Sequence, residues 1–288
     1  MSMYALEIKK LNKKFSNFSL QNINLKLPKG YILGYIGQNG AGKTTTIKLI
    51  MEQLKRDSGE ITVFEKKYSD DNISFKEIIG FIADECYFPE SFKAKDIINT
   101  FKGFYKTFDE VKFKEYMEKW KLPYDKKVKD FSKGMKMRLM FASVLSRETK
   151  LLILDEPTSG LDPVIRDEIL ELLQEYISDG ENSVLFSTHI MSDLEKIADY
   201  LYFIDDGKII FNDTKDNILE NYLLIKGGVE DLTLDIKEKL VGYKKSSVGF
   251  EGLIYSKDKK YIENDMLYEK PSIDDIVVFH INGVKEEI

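Results

Sequence analysis

The chain contains 288 residues, of which 43% are hydrophobic and 32% are charged, and its formal net charge is −6 at pH 7. This length and composition suit one large domain, or one domain followed by a small one. The net negative charge does not favour binding to nucleic acid, so we do not expect nucleic acid as a partner. No apolar run approaches the roughly 18 residues of a membrane-spanning helix, and the single cysteine, Cys86, excludes an internal disulfide framework.

The first part of the chain predicts strands followed by a helix. Apolar and polar residues alternate over residues 4–30, which predicts antiparallel strands with a turn at Pro28-Lys29-Gly30. The largely apolar segment Tyr31–Ile36 predicts a buried strand, and the apolar spacing over Thr44–Leu54 predicts a helix. The strand and the helix enclose a glycine-rich segment.

That segment matches the pattern G-x-x-x-x-G-K-[ST], whose backbone N–H groups wrap a polyphosphate. Glycine lets bare backbone approach the phosphates. The lysine reaches the β- and γ-phosphates, and the hydroxyl that follows it ligates Mg²⁺. We therefore predict a nucleotide site with ATP and Mg²⁺ as ligands, formed by Gly37, Gln38, Asn39, Gly40, Ala41, Gly42, Lys43, Thr44 and Thr45.

The middle of the chain predicts two more strands and a helical region. The strands are expected at Gly59–Phe64 and Ile78–Ala83. A helical pattern covers Ala94–Leu122, with a break near Phe108-Asp109, and a lysine-rich loop then leads to a helix from about Met135.

Two acidic residues follow a buried strand. The four apolar residues Leu151–Leu154 predict a strand of a parallel sheet, and Asp155 and Glu156 come next. Carboxylates at this end of such a strand lie where α/β sheets hold their ligands. Asp155 is placed to hold Mg²⁺, directly or through water, and Glu156 to activate or orient the attacking water.

Helices and strands alternate in the stretch that follows, which predicts an α/β fold with a parallel sheet. They are expected at 163–179 (helix), Ser183–Ser187 (strand), 190–199 (helix) and Leu201–Ile204 (strand). We predict a nucleotide-binding domain over residues 1–213, with a helical subdomain over about 87–149. Residues 214–288 are predicted to form an accessory domain of short strands with a final helix opened by Pro271.

Four motifs together resemble an ATP-binding-cassette (ABC) ATPase. The phosphate loop is followed, in the order and rough spacing of that family, by Phe131–Met135, Leu154–Asp162 and Ser187–His189. The resemblance covers about residues 4–212. It implies an ABC-type P-loop ATPase domain with a mixed core sheet, an antiparallel β subdomain and a helical subdomain, followed by a small α+β extension.

The resemblance also implies roles for single residues. Phe15 looks like the aromatic residue that stacks on adenine. Ser132 and Gly134 match the signature motif, which closes on the γ-phosphate of the nucleotide held by the opposite subunit. Asp162 is similar to the residue in the loop that joins the two sites across the dimer, and His189 matches the switch histidine that contacts the γ-phosphate. The implied active state is a head-to-tail dimer around two ATP.

Two positions depart from the family pattern. The family usually has glutamine, touching Mg²⁺ and the lytic water, at the position that Asp84 occupies here. A shorter, charged side chain can ligate Mg²⁺ but adds negative charge near the γ-phosphate, so we expect Asp84 to be a metal ligand and to alter the hydrolysis rate. Phe131–Met135 reads Phe-Ser-Lys-Gly-Met where Leu-Ser-Gly-Gly-Gln is commonest.

The type of cassette follows from what the chain carries besides the motifs. The chain has one cassette, the signature sequence Phe-Ser-Lys-Gly-Met-Lys at Phe131–Lys136 and a C-terminal extension. These features resemble bacterial type-2 exporters of the bacitracin-resistance and phenol-soluble-modulin kind. This implies separately encoded membrane-spanning subunits, a second identical or homologous ATPase subunit, export of peptides, toxins or antimicrobials, and a cytoplasmic position at the inner face of the membrane. The alternative is a soluble, non-transport ABC ATPase or regulator that acts on a protein partner.

An aromatic region follows Asp84 and has two interpretations. It either forms a groove for a short helix of the membrane partner or packs the helical subdomain, and both can hold for different residues. Its members are Tyr87, Phe88, Phe92, Phe101, Phe104, Tyr105 and Phe108.

Overall fold

In the part of the chain that the computed structural model describes, residues 3–67, 73–262 and 266–283, the strands form three β-sheets. The strands are, in chain order, β1 (Tyr4–Lys14), β2 (Ser19–Pro28), β3 (Ile32–Ile36), β4 (Ser58–Val63), β5 (Lys66–Lys67), β6 (Ile79–Ile82), β7 (Leu151–Asp155), β8 (Ser183–Thr188), β9 (Tyr200–Asp205), β10 (Lys208–Thr214), β11 (Tyr222–Gly227), β12 (Leu240–Lys245), β13 (Phe250–Tyr255) and β14 (Leu267–Glu269). The helices are α1 (Lys43–Ile50), α2 (Ile73–Ile78), α3 (Ala94–Phe104), α4 (Glu110–Lys119), α5 (Lys133–Leu145), α6 (Pro163–Ile177), α7 (Met191–Ile197), α8 (Lys215–Asn221), α9 (Leu234–Lys239) and α10 (Ile273–Asn282), with 3₁₀ turns at Val128–Asp130 and Ser256–Tyr261.

The first sheet is antiparallel, with the strand order β2-β1-β4-β5. Ile23, Leu25 and Leu27 of β2 are fully buried, whereas the residues between them are exposed. This alternation arises because one face of the sheet packs on the core and the other meets solvent. The antiparallel strands predicted over residues 4–30 are confirmed.

The central sheet is mixed, with the order β10-β9-β3-β8-β7-β6. Strands β9, β3, β8, β7 and β6 are parallel, and β10 pairs antiparallel with β9 at one edge. Every residue of β3, β7 and β8 is buried. One face of the sheet packs against α1 and the first sheet, and the other packs against α5, α6 and α7. Because both faces are buried, these strands are runs of apolar residues without alternation.

A helical subdomain follows β6 and consists of α3, α4 and α5. The predicted break near Phe108-Asp109 is the start of α4, where the Asp109 carboxylate accepts hydrogen bonds from the N–H groups of Val111 and Lys112. Helix α5 begins at Lys133, two residues before the predicted start, because Ser132 caps it. Within the described ranges, no helix is long and apolar enough to cross a membrane.

The C-terminal part forms a third, antiparallel sheet with the order β12-β13-β11-β14, and α10 packs against it and against α7. Ile273 and Ile276 of α10 belong to the same hydrophobic cluster as Leu194 of α7. The backbone N–H of Ile273 also donates to Glu195 Oε1, at 3.0 Å. The predicted division after residue 213 falls at the end of β10 and stays a prediction.

Candidate nucleotide-binding and hydrolysis site

The glycine-rich loop connects β3 to α1, as predicted. Gly40 and Gly42 have positive φ values of 87° and 116°, which side chains other than glycine rarely adopt. A Cβ at Gly42 would also lie 2.6 Å from Leu20 and 3.0 Å from Phe18. The sequence therefore needs glycine here both for the turn and for the close approach of the first sheet.

Lys43 begins α1, and its ammonium group lies inside the loop. The side chain is 5% exposed, and Nζ donates to the carbonyl oxygens of Gly37, at 2.6 Å, and Gln38, at 3.3 Å. Nζ also lies 3.2 Å from Glu156 Oε1. A cation held at the mouth of the loop is placed to meet the β- and γ-phosphates of a nucleotide.

Glu156 lies at the end of β7 in a strained conformation, with a φ of 52°. Its N–H donates to the carbonyl of Ser187, at 2.9 Å, which ties it to the end of β8. One carboxylate oxygen, Oε2, lies 2.7 Å from Nδ1 of His189 and accepts the His189 N–H at 3.2 Å. The other, Oε1, is buried, faces Lys43 and accepts no hydrogen bond from the described residues. This oxygen is thus held by its ion pair with the Lys43 ammonium.

A second cluster joins Thr44, Asp155 and Ser187. The Ser187 hydroxyl donates to Asp155 Oδ1 at 3.2 Å. Burial raises the pKa of the Asp155 carboxyl, and hydrogen bonds from Thr44 and Ser187 counteract the shift. A buried carboxylate beside a hydroxyl suits Mg²⁺, which takes one or two carboxylates together with substrate phosphates. The described residues contain no group of three His, Cys, Asp or Glu side chains that could hold a metal ion by themselves.

Asp84 contacts the signature segment rather than this cluster. Its Oδ1 lies 3.1 Å from the ammonium of Lys133, and both side chains are about half exposed. Among the described residues, no hydrogen bond or ion pair connects Asp84 to Thr44 or Asp155. Its role as a metal ligand stays a prediction, and the Asp84–Lys133 pair has no local sequence signal that could have revealed it.

Phe15 lies in the turn between β1 and β2 and is 37% exposed. Its ring stacks on that of Phe18, with the centroids 6.4 Å apart and the planes at 29°. Phe18 in turn approaches Gly42 of the phosphate loop. The exposed aromatic face therefore lies near the start of α1, in keeping with the predicted contact with adenine.

The signature residues and Asp162 lie at the N-terminal ends of two adjacent helices. The Ser132 hydroxyl accepts the Met135 N–H at 3.2 Å, and Asp162 Oδ1 accepts the N–H groups of Val164 and Ile165 at 3.1 Å. A Cβ at Gly134 would lie 2.3 Å from Ile165, so this glycine also lets α5 and α6 meet. Within the described residues, neither Ser132 nor Gly134 is hydrogen-bonded to the phosphate loop.

A buried network near His189 was missed by the sequence analysis. Asp193 of α7 is fully buried; its Oδ2 accepts the Thr158 hydroxyl at 2.7 Å, and its Oδ1 pairs with Nε of Arg166. The network joins the loop after Glu156 to the helix after His189. The residues are 27 and 35 positions apart, so no short motif contains them.

The ends of three parallel strands therefore bring the site residues together. Strand β3 leads to Lys43, β8 ends before His189, and β7 ends in Asp155, followed by Glu156. A phosphate-binding loop beside a hydroxyl, a buried aspartate and a glutamate held by a histidine can bind a nucleoside triphosphate and direct water at its γ-phosphate. The fold and the site define a P-loop nucleoside triphosphatase.

Comparisons with known proteins define the family. The family described as ABC transporter matches residues 20–159. The lantibiotic transport ATP-binding protein SrtF of Streptococcus pyogenes is 36% identical over 211 residues, which cover 71% of this chain and 89% of SrtF. The bacitracin transport ATP-binding protein BcrA of Bacillus licheniformis is 34% identical over 202 residues, which cover 68% of this chain and 64% of BcrA. The structure of cbiO1 from Clostridium perfringens, part of the ABC transporter complex cbiONQ, matches with a TM-score of 0.64 at 27% identity and covers 75% of this chain and 90% of that one.

The chain belongs to the ABC transporter ATP-binding proteins, and it is an ABC-type ATPase. The predicted family, fold class and enzymatic class are confirmed.

Proposed function

We propose that this chain is the ATP-hydrolysing subunit of an exporter, that it dimerises head to tail around two ATP, and that it drives separate membrane-spanning subunits. The observation that carries the proposal is the convergence of Lys43, Glu156 and His189 within hydrogen-bond or ion-pair distance. This arrangement supports hydrolysis as well as binding, because it includes a carboxylate oriented by a histidine.

The contacts of Lys43 suggest how ATP starts the reaction. The β- and γ-phosphates would take the ammonium of Lys43 away from Gly37, Gln38 and Glu156, which leaves Glu156 Oε1 to accept a proton from the attacking water. His189 keeps Glu156 oriented through Oε2 and donates toward the γ-phosphate. Thr44 and Asp155 would hold Mg²⁺, which neutralises charge on the β- and γ-phosphate oxygens.

The dimer is supported by the position of the signature residues. Ser132 is exposed at the N-terminus of the 13-residue helix α5, where N–H groups and the helix dipole favour an anion. Among the described residues, no hydrogen bond joins Ser132 to the phosphate loop of the same chain. The γ-phosphate that these groups are suited to bind would therefore belong to a second subunit, and Asp162 at the start of α6 would lie at the junction.

The proposed cargo is a peptide, toxin or antimicrobial compound. Support comes from the relatives, which are named for lantibiotic transport and bacitracin transport. The chain would work in the cytoplasm, at the inner face of the membrane, because the membrane-spanning subunits would hold it there.

The aromatic region supports a docking groove for a membrane subunit. Phe88 and Phe101 are 8% and 7% exposed and belong to the core, which confirms the packing interpretation for them. Phe104, in contrast, is 76% exposed at the end of α3. It lines, with Tyr87 and Tyr105, a groove of about 470 Å³. We propose that a short helix of the membrane subunit lies in this groove.

Export can be tested in cells that lack the chain and its partner. The chain is produced together with a multi-span membrane protein encoded beside its gene, and growth is measured in bacitracin and in a lantibiotic. We expect protection with the wild type, none with Glu156→Gln, and reduced protection with Phe104→Ala, whose basal ATPase stays normal. Val111→Ala, which removes another exposed apolar side chain of this subdomain, is the matched control. ATP turnover by the isolated chain, together with no protection in either compound when the membrane protein is present, would favour the soluble alternative.

A further inference from the structure

Arg147, just after α5, is a buried cation without a carboxylate partner. The residue is 6% exposed, and among the described residues no acidic side chain forms an ion pair with it. Nη1 donates to the carbonyl of Lys76 at 3.3 Å and Nη2 to that of Ile79 at 3.0 Å, whereas the buried Nε–H finds no acceptor there. Buried charges in proteins are normally paired, so this guanidinium retains capacity for an anion.

The guanidinium group belongs to the aromatic groove. Its central carbon lies 3.8 Å from the centroid of the Tyr105 ring and 6.0 Å from that of Phe101. Arg147 lines a cavity of about 320 Å³. Tyr87, Phe101 and Tyr105 line both this cavity and the adjoining groove that contains Phe104. A ligand that enters the groove therefore approaches the charge of Arg147 between aromatic rings.

The charges around the groove favour an acidic occupant. Lys76 lines both the cavity and the groove and adds a second positive charge. Glu77 also lines the groove, but its two oxygens already accept hydrogen bonds from Lys106 N, at 3.1 Å, and the Thr107 hydroxyl, at 3.2 Å. The groove thus offers apolar rings and two cations against one carboxylate, so its net charge is positive.

We propose that the groove receives a short helix of the membrane subunit that carries an aspartate or glutamate, and that this carboxylate pairs with Arg147. The inference rests on the proposed function, since it specifies the partner of the groove. Apolar side chains of the helix would cover Phe104 and Tyr87, and the carboxylate would reach the guanidinium by moving the ring of Tyr105. The planar guanidinium, unlike a lysine ammonium, can bind a carboxylate through two parallel hydrogen bonds. Arg147 thereby selects an acidic partner helix.

The test uses the complex of the chain with its membrane subunit, purified from detergent-solubilised membranes. Arg147→Met should weaken the complex by about 30-fold or more, because the partner's carboxylate would be left buried without a counter-charge. Arg147→Lys should recover part of the affinity. Arg138→Met is the matched control, since Arg138 lies on α5, the helix that precedes Arg147, but pairs internally with Glu168. Basal ATPase activity and the unfolding midpoint of each isolated variant show whether it is folded.

The decisive measurement is a charge exchange. Arg147→Glu is combined in turn with a lysine at each acidic residue in the cytoplasmic segments of the membrane subunit. Restored assembly and restored ATPase stimulation at one such position support the inference, even if Arg147→Met folds poorly. Normal assembly of a folded Arg147→Met or Arg147→Glu variant, or rescue at no acidic position, overturns it and leaves the proposed function intact. If the wild-type chain assembles with no membrane subunit, the proposed function itself fails.

Discussion

Asp193 gives the clearest test of how the site is held together. Its carboxylate is fully buried and accepts the hydroxyl of Thr158, which is 1% exposed, and the guanidinium of Arg166, whose side chain is 27% exposed. Asp193→Asn keeps the shape and removes the charge. Loss of a hydrogen bond to a charged group lowers the free energy of unfolding by about 1.5–3 kcal/mol. Breaking a fully buried ion pair costs roughly 3–5 kcal/mol. The Asp193–Arg166 pair is only partly buried, so its loss costs less than that.

We therefore expect Asp193→Asn to lower the free energy of unfolding by about 2–4 kcal/mol, which for a chain of this size lowers Tm by about 4–8 °C. Asp167→Asn is the matched control. Asp167 pairs with Lys196 across the same two helices, α6 and α7, but both side chains are 56% exposed, so the expected cost is about 0–1 kcal/mol.

Thermal unfolding of both variants, at low and high salt, measures the difference. The effect of Asp193→Asn should persist in 1 M NaCl, at which the screening length is only about 3 Å, because the pair is shielded from solvent. Turnover of ATP should fall as well, since Thr158 holds the loop that follows Glu156. Equal Tm values for the two variants would refute the argument that the buried network fixes this loop.

Two further predictions concern the nucleotide and the dependence of stability on pH. Phe15→Ala should weaken ATP binding by about 1–3 kcal/mol, the value of base–aromatic stacking, while Phe15→Tyr should bind normally; titration with a fluorescent ATP analogue measures both, and unchanged binding by Phe15→Ala would rule out the stacking role. Burial raises the pKa of the Asp199 carboxyl, whose Oδ2 accepts the N–H of Ile32 at 2.8 Å. Because this carboxyl binds its proton more tightly in the folded state, the folded state becomes more stable as the pH falls. Asp199→Asn should thus have a higher Tm than the wild type at pH 8, and this advantage should shrink as the pH falls through the raised pKa; a constant difference would contradict the assignment.

The phosphate loop and the strands around it could be predicted because their signals are local. Gly42 and Lys43 belong to one short pattern, and Leu151–Leu154 is a continuous apolar run. Helix α1, however, ends at Ile50 rather than Leu54, since Glu52 adopts a positive φ of 55°. The spacing of apolar residues does not predict a positive φ at Glu52.

Tertiary contacts account for what the sequence did not reveal. Strand β10 follows a turn at Asp206-Gly207 and pairs antiparallel with β9, and Gly242 of β12 lies against the backbone of Phe279 in α10. The turn also holds the phosphate loop, because the Gly207 N–H donates to the Ala41 carbonyl at 3.0 Å. Such contacts join residues far apart in the chain, so local periodicity does not contain them.

The central claim is that Glu156 serves as the catalytic carboxylate of an ATPase that closes as a dimer. ATP turnover by the wild type and by Glu156→Gln, with size exclusion of each in ATP and Mg²⁺, tests it most directly. The account predicts turnover by the wild type, and a Glu156→Gln variant that binds ATP, barely hydrolyses it and elutes as a dimer. Wild-type turnover rates in Glu156→Gln would contradict the assignment of Glu156, and a monomeric Glu156→Gln that has ATP bound would contradict closure around two nucleotides.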